Sequence, residues 1–386
     1  MLKISDVELL RSEVLRRAIE ENIERDPQRV ALDKHVPHAA LVATQVKYLQ
    51  RARKKLPQLY EARCIIPPRA FEQSSSLESA ERKAISGDTL LDLSCGLGID
   101  AMAAARHFRR VVAVERDEVL AEVVRYNLSL LGVDNMEVVT ASSEEYIATT
   151  TEHFDWVFID PDRRSAEGKK MVRMEDCSPN VLEIMPRLEE ISSRVAIKLS
   201  PLFDVDEALR LFPDSEVEVV SMSGECKELN IYTHASKSVV RVAAVGLGEW
   251  SFGCDDINMI PSREPFEVSQ WRYMIVPDVA VQKARVAIVS FAGCATMWSN
   301  NGFAFAAQMP AEDIPGRVYV ITRMERYRPK ELKREWKGVG VEIIKRDTSL
   351  AVEQVRKAMG AKAGSDHLMA ITAIGGENWV IHLKKI

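Results

Sequence analysis

Two spacings of apolar residues divide the chain. Over residues 5–58 they recur at intervals of three and four: Val7, Leu10, Val14, Leu15 and Ile19 make one stripe, and Leu41, Val42, Gln45, Val46 and Leu49 begin another. That is the pattern of helices with one inward face. The second stripe runs into Arg51-Ala52-Arg53-Lys54-Lys55-Leu56-Pro57. Pro57 stops the helix there, and the four cations sit at the negative end of its dipole, where they would equally suit a phosphate. From residue 88 onward the spacing changes. Short, mostly apolar runs at 89–91, 111–114, 136–139 and 154–159 alternate with helical stretches such as 120–131, which stops at Gly132. Continuous apolar strands separated by helices predict an α/β unit around a buried parallel sheet.

The first of these strands leads into Asp92-Leu93-Ser94-Cys95-Gly96-Leu97-Gly98-Ile99-Asp100, followed by the helix-forming run Ala101-Met102-Ala103-Ala104-Ala105. A strand that ends on a carboxylate, glycines that let the backbone approach a ligand, and a helix N-terminus behind them predict a loop for a nucleotide-like cofactor. Gly96-x-Gly98-x-x-Ala101 satisfies the loose dinucleotide fingerprint, with Glu115 near the place of its ribose-binding acid. Asp92 points elsewhere: ahead of the glycines it would repel a pyrophosphate but attract the ammonium of a methionine moiety, as in S-adenosylmethionine. Each residue also has a plainer reading. Asp92 could cap the helix, Glu115 could be a solvated strand-end acid, Ser142 could be a loop hydroxyl, and Cys95 reads as a small space-filler.

Composition narrows the classes. With 386 residues, 46% of them hydrophobic, the chain is long enough for two or three cored domains. The cysteines, Cys64, Cys95, Cys177, Cys226, Cys254 and Cys294, never approach a CxxC spacing. Neither a zinc site nor a disulfide framework is expected, and a cytoplasmic location is. The first residues lack an apolar signal core, and no apolar run of membrane-spanning length occurs, so membrane association is not expected. The net charge of -5 conceals an asymmetry: residues 1–60 hold 12 Lys and Arg against 8 Asp and Glu, and residues 316–386 hold 15 against 8. An acidic middle with basic ends suits a cationic cofactor flanked by segments that meet a polyanion, although solvated helix faces would look the same.

The order and spacing of motifs over residues 85–205 resemble the class I, Rossmann-like S-adenosylmethionine-dependent methyltransferases. The resemblance implies that Asp92, Ser94, Gly96, Gly98 and Asp100 hold the methionine end of S-adenosylmethionine. It implies that Glu115 accepts hydrogen bonds from both ribose hydroxyls, and that Ser142 takes the adenine-side position where many relatives carry Asp. Asp160, in Asp160-Pro161-Asp162-Arg163-Arg164, is the candidate catalytic acceptor for a substrate proton or hydrogen bond; ordering its loop is the alternative role. Arg163 and Arg164 suit a substrate phosphate or carboxylate, or else pair with Glu175 or Asp176. Asp162 and Arg163 stand where base-amino methyltransferases carry Pro and a stacking aromatic. The run Ile197-Lys198-Leu199-Ser200-Pro201 lacks the nucleophilic cysteine of uracil-methylating enzymes, which argues against a covalent mechanism.

Four stretches together, Glu72-Gln73-Ser74-Ser75-Ser76, the Asp160 motif, Met174-Glu175-Asp176-Cys177-Ser178-Pro179 and Lys198-Leu199-Ser200-Pro201, resemble a narrower bacterial methyltransferase family. That resemblance implies a ferredoxin-like piece and a THUMP-like end behind the catalytic core. The expected fold is α/β: a Rossmann-like class I methyltransferase core at 63–245, an N-terminal helical domain at 1–62, and small α+β domains at 246–315 and 316–386. In the serine triplet, Ser75 or Ser76 reads as a helix cap with Glu78 reaching back; alternatively Gln73 and the serines fold over the cleft as a polar lid, with Gln73 touching substrate. The function expected is methyl transfer to an RNA base. A small-molecule or protein acceptor, or a catalytically idle RNA-binding module, are the alternatives.

Overall fold

A computed structural model describes residues 2–83, 85–162, 174–234, 238–311 and 313–386. They form two compact units, Met1–Lys198 with Tyr232–His234, and Leu199–Ile231 with Ala235–Ile386.

The first unit opens with seven helices: α1 (Ile4–Arg11), α2 (Glu13–Asn22), α3 (Pro27–Ala31), α4 (Ala39–Lys55), α5 (Pro57–Glu61), α6 (Pro68–Gln73) and α7 (Leu77–Glu81). The first apolar stripe is split. Ser12 turns extended and its hydroxyl accepts from Leu15 N–H to start α2, so Val7 and Leu10 face inward from one helix, Leu15 and Ile19 from the next, and Val14 is left 64% exposed. The second stripe forms the buried side of α4. Its one polar member, Gln45, accepts from Ile66 N–H at 2.9 Å and donates to Ile66 O at 3.3 Å. A buried amide with both ends matched avoids the penalty of an orphaned polar group.

Five strands follow: β1 (Gly87–Asp92), β2 (Phe108–Glu115), β3 (Met136–Thr140), β4 (Trp156–Ile159) and β5 (Val195–Leu199). They lie in the order β3-β2-β1-β4-β5, every pair parallel. The strands alternate with α8 (Ile99–Ala104), α9 (Glu118–Leu131), α10 (Ser143–Thr149) and α11 (Val181–Ile191). Gly132 ends α9 at φ +66°, which only glycine adopts without strain. Asn127 on α9, fully buried, accepts from Ile65 N–H and donates to Ile65 O, both at 2.9 Å. The strand order reverses between β1 and β4, and in open parallel sheets ligands settle outside the carboxyl ends at that point.

The second unit holds α12 (Val205–Leu211) and the strands β6 (Glu216–Met222), β7 (Glu225–Tyr232), β8 (Val239–Ala244) and β9 (Gly248–Gly253). Gly246, at φ +83°, sits in the turn of the β8–β9 hairpin, and Trp250 lies within β9. Next come β10 (Tyr273–Pro277), α13 (Val279–Lys283), α14 (Ala287–Phe291), β11 (Thr296–Met297), β12 (Ala304–Ala306), β13 (Gly316–Arg326), α15 (Pro329–Trp336), β14 (Gly340–Lys345), α16 (Val352–Met359), β15 (Lys362–Ala363), β16 (His367–Ile374) and β17 (Glu377–Lys385). Their strands share one sheet, ordered β11-β12-β10-β13-β17-β16-β14-β15. Among the described residues no helix is long and apolar enough to cross a membrane, and no cluster of three or more His, Cys, Asp or Glu could hold a metal ion.

Candidate functional site

At the switch point a cleft of about 770 Å³ opens, within the range of small-molecule sites. The loops after β1, β2, β3 and β4 and the segment 67–75 line it. Ser94, Gly96, Asp100, Glu115, Ser142, Asp160 and Gln73 all reach it. Asp92 and Gly98 lie beneath its wall, both buried. Arg163 and Arg164 lie outside the described residues.

The glycine loop is shaped by backbone demands. Gly96 and Gly98 have φ of +54° and +79°, and a Cβ on Gly98 would stand 3.1 Å from Val124 Cγ1. Glu115 holds this loop to the next: one oxygen accepts from Gly96 N–H at 2.8 Å, the other from Asp117 N–H at 2.9 Å. Burial pushes its pKa up while those two bonds oppose the rise. Each carboxylate oxygen can still accept from a ligand hydroxyl.

Asp92 is 1% exposed. One oxygen accepts from Ser94 N–H at 2.8 Å and from the Ser94 hydroxyl at 3.2 Å, while the other is buried with no hydrogen-bond partner. Burial above all, with Asp100 and Asp160 nearby, pushes its pKa up to about 7. The Ser94 hydroxyl in turn accepts from Asp160 N–H at 2.6 Å, so Asp92 sets Ser94 and Ser94 sets the backbone of Asp160. Cys95 beside them is buried. Its thiol is pushed well up by burial and by the Asp92 and Glu115 carboxylates, which keeps it an inert filler.

Opposite the loop stands a charged network that motif reading did not assemble. Lys198 on β5 donates to Asp160 Oδ2 at 2.6 Å, to Ser75 Oγ at 2.9 Å and to Asp100 Oδ2 at 3.4 Å. The Ser75 hydroxyl donates to Asp100 Oδ2 at 2.7 Å, and Lys83 closes on Asp100 Oδ1 at 2.6 Å. Burial alone would raise Asp100, but Lys198 and Lys83 outweigh it and hold the carboxyl far below its usual range. The signal for Lys198 was available: it is the one charge in the apolar strand Val195-Ala196-Ile197-Lys198-Leu199.

Two open readings acquire geometry. Ser142 caps α10 in a box with Glu145, its hydroxyl accepting from Glu145 N–H and donating to Glu145 Oε2. In the serine triplet, Ser76 caps α7, accepting from Ser79 N–H, while Ser74 and Ser75 line the cleft. The basic run on α4 is largely committed internally. Arg51 pairs with Glu72, Arg53 with Glu24, and Lys55 donates to Phe71 O at 2.7 Å, its pKa pushed down to about 8 by burial.

A family profile described as Conserved hypothetical protein 95 matches residues 74–174, and one described as THUMP domain-like matches residues 316–385. A crystal structure of a proposed methyltransferase from Porphyromonas gingivalis W83 superposes with a TM-score of 0.83 over 96% of this chain and 97% of that one, at 24% identity. The chain has the fold of a class I methyltransferase. An uncharacterized S-adenosylmethionine-dependent methyltransferase of Mycobacterium tuberculosis is 26% identical over 245 residues. That alignment takes in 61% of this chain and 64% of the relative, less than two thirds of its length. A tRNA/tmRNA (uracil-C(5))-methyltransferase of Shewanella piezotolerans is 28% identical over 145 residues, 32% of this chain and 39% of that one.

Proposed function

We propose that this chain transfers the methyl group of S-adenosylmethionine to an RNA base. The observation that carries the cofactor is the pairing of Glu115, with acceptor capacity at the cleft, and the buried Asp92 oxygen that lacks a donor behind the glycine loop. A ribose diol suits the first and a methionine ammonium the second. Acidic residues, Asp100, Glu115, Asp117, Glu144 and Asp160 among them, outnumber cations along the cleft, which favours a cationic ligand. When bound, the cofactor supplies an electrophilic sulfonium methyl group.

The chain's own residues would then align the acceptor. Asp160, fixed through its N–H by Ser94 and through its carboxylate by Lys198, accepts a hydrogen bond from the attacking group and turns the lone pair toward the methyl. No cysteine follows β5, where the chain reads Lys198-Leu199-Ser200-Pro201, so transfer is a direct displacement. The RNA acceptor is supported by the THUMP-like match and by α15. There Lys330, Lys333 and Arg334, with Lys337 just beyond, follow helical spacing, are exposed, and have no ion pair among the described residues, while Leu332 and Trp336 face the core. Calorimetric titration with S-adenosylmethionine, with NAD as control, tests the cofactor; binding of NAD alone would overturn it. Labelled methyl transfer into RNA, compared with protein and small-molecule fractions, tests the acceptor.

A further inference from the structure

Two exposed arginines stand at the cleft mouth. Arg69, on α6, and Arg116, in the turn between β2 and α9, both line the cleft. Both approach the same atom, Asp162 Oδ2, at 4.0 and 3.9 Å. Those distances lie within ion-pair range but beyond a hydrogen bond, and among the described residues neither arginine makes any other polar contact. Structural arginines nearby behave differently: Arg63 meets Glu20 at 2.5 Å and Arg11 meets Glu122 at 2.8 Å. Arg69 and Arg116 are 64% and 62% exposed, so turning them toward a ligand breaks nothing that holds the fold. Asp162 itself is fixed: its N–H donates to Ser178 O at 2.9 Å and its carbonyl accepts from Ser178 N–H at 3.0 Å. It lies two residues from Asp160, hence no more than about 7 Å along the chain.

We propose that Arg69 and Arg116 form an anion site at the cleft mouth that grips a backbone phosphate of the acceptor while its base lies against Asp160. The site rests on the reading of an RNA acceptor and adds where the strand enters. Two guanidinium forks converging from different elements match a phosphodiester, which offers two unesterified oxygens to bidentate donors. Among the described residues these are the exposed cations lining an otherwise acidic cleft, and Asp162 holds their place until a phosphate takes over.

The test uses the full chain saturated with S-adenosylhomocysteine and a fluorescently labelled single-stranded RNA 15-mer, followed by anisotropy across a potassium chloride series. Arg69→Ala/Arg116→Ala is expected to weaken RNA binding by about tenfold or more. The slope of log affinity against log salt should shrink by roughly 0.7 if one phosphate is released, and by up to twice that if each arginine holds its own. Arg69→Lys/Arg116→Lys should recover most of the slope but only part of the affinity. Calorimetric affinity for S-adenosylhomocysteine, read in parallel, separates a damaged cofactor site from a lost anion site. If the alanine pair binds RNA as wild type does, with the same slope, this site is overturned while the RNA reading survives. If wild type binds no RNA at low salt, both are overturned.

Discussion

The two sides of the cleft are built from different materials. On the glycine-loop side the shape comes from backbone: Gly96 and Gly98 in left-handed conformations, and Glu115 clasping two N–H groups. On the β5 side it comes from side-chain charge: Lys83, Asp100, Ser75, Lys198 and Asp160, linked by contacts of 2.6 to 3.4 Å. The first is rigid because a short stretch of chain can fold only one way. The second is rigid only while two ammonium groups and two carboxylates stay in balance. Loss of one member should therefore hurt the second side most, since it strands a buried charge.

Lys198→Met should give the largest effect. Breaking a buried pair costs about 3 to 5 kcal/mol, read as a lower urea midpoint. Lys198→Met/Asp160→Asn should regain much of the loss; a double variant no better than the single would mean that the two residues do not act as a pair. The next effect belongs to Asp92. Its folded pKa of about 7 lies above the ordinary value near 3.9, so between about pH 4 and 7 the folded chain keeps a proton that the unfolded chain has released. Its contribution to stability is full below that window and lost as pH rises through it, a change of order a few kcal/mol. Asp92→Asn should flatten the profile, so that the ligand-free variant's advantage over wild type is largest at pH 8, clearly smaller at pH 5 inside the window, and gone near pH 3. A parallel offset at all three pH values would refute this. The same variant should weaken S-adenosylmethionine.

Glu115→Ala should raise the S-adenosylmethionine dissociation constant by about tenfold or more, from the loss of charge-assisted bonds worth about 1.5 to 3 kcal/mol each. An unchanged constant in calorimetry would refute the ribose role. The smallest change is expected from Ser142→Ala. It removes a helix cap worth about 1 kcal/mol, so melting should show a loss that cofactor titration barely registers. A large fall in affinity with little loss of stability would instead make Ser142 an adenine contact.

The same division explains what could be read in advance. The α/β order, the end of α9 at Gly132 and the glycine loop were legible because each is written in a few adjacent residues whose backbone has no alternative. The charged network was not: its members come from positions 75, 83, 100, 160 and 198, and only the fold brings them together. Asp160 and Asp100 were each named, but as separate parts. Similarly, the apolar spacing through Val14 gave no warning that Ser12 would break the stripe. The run Arg51 to Lys55 looked available until its partners, Glu24 and Glu72 among them, arrived from other helices.

The sheet of the second unit carries a lesson about units of resemblance and units of folding. The THUMP-like similarity starts at residue 316, which is also the first residue of β13. Yet β13 is paired along one side with β10, from Gly316 opposite Pro277 to Val320 opposite Tyr273. A fragment beginning at residue 316 would thus leave a row of unpaired amides and carbonyls along β13, open to pairing with another copy of itself. What inheritance delimits at residue 316, hydrogen bonding does not: cut there, the THUMP-like piece should self-associate rather than stand alone.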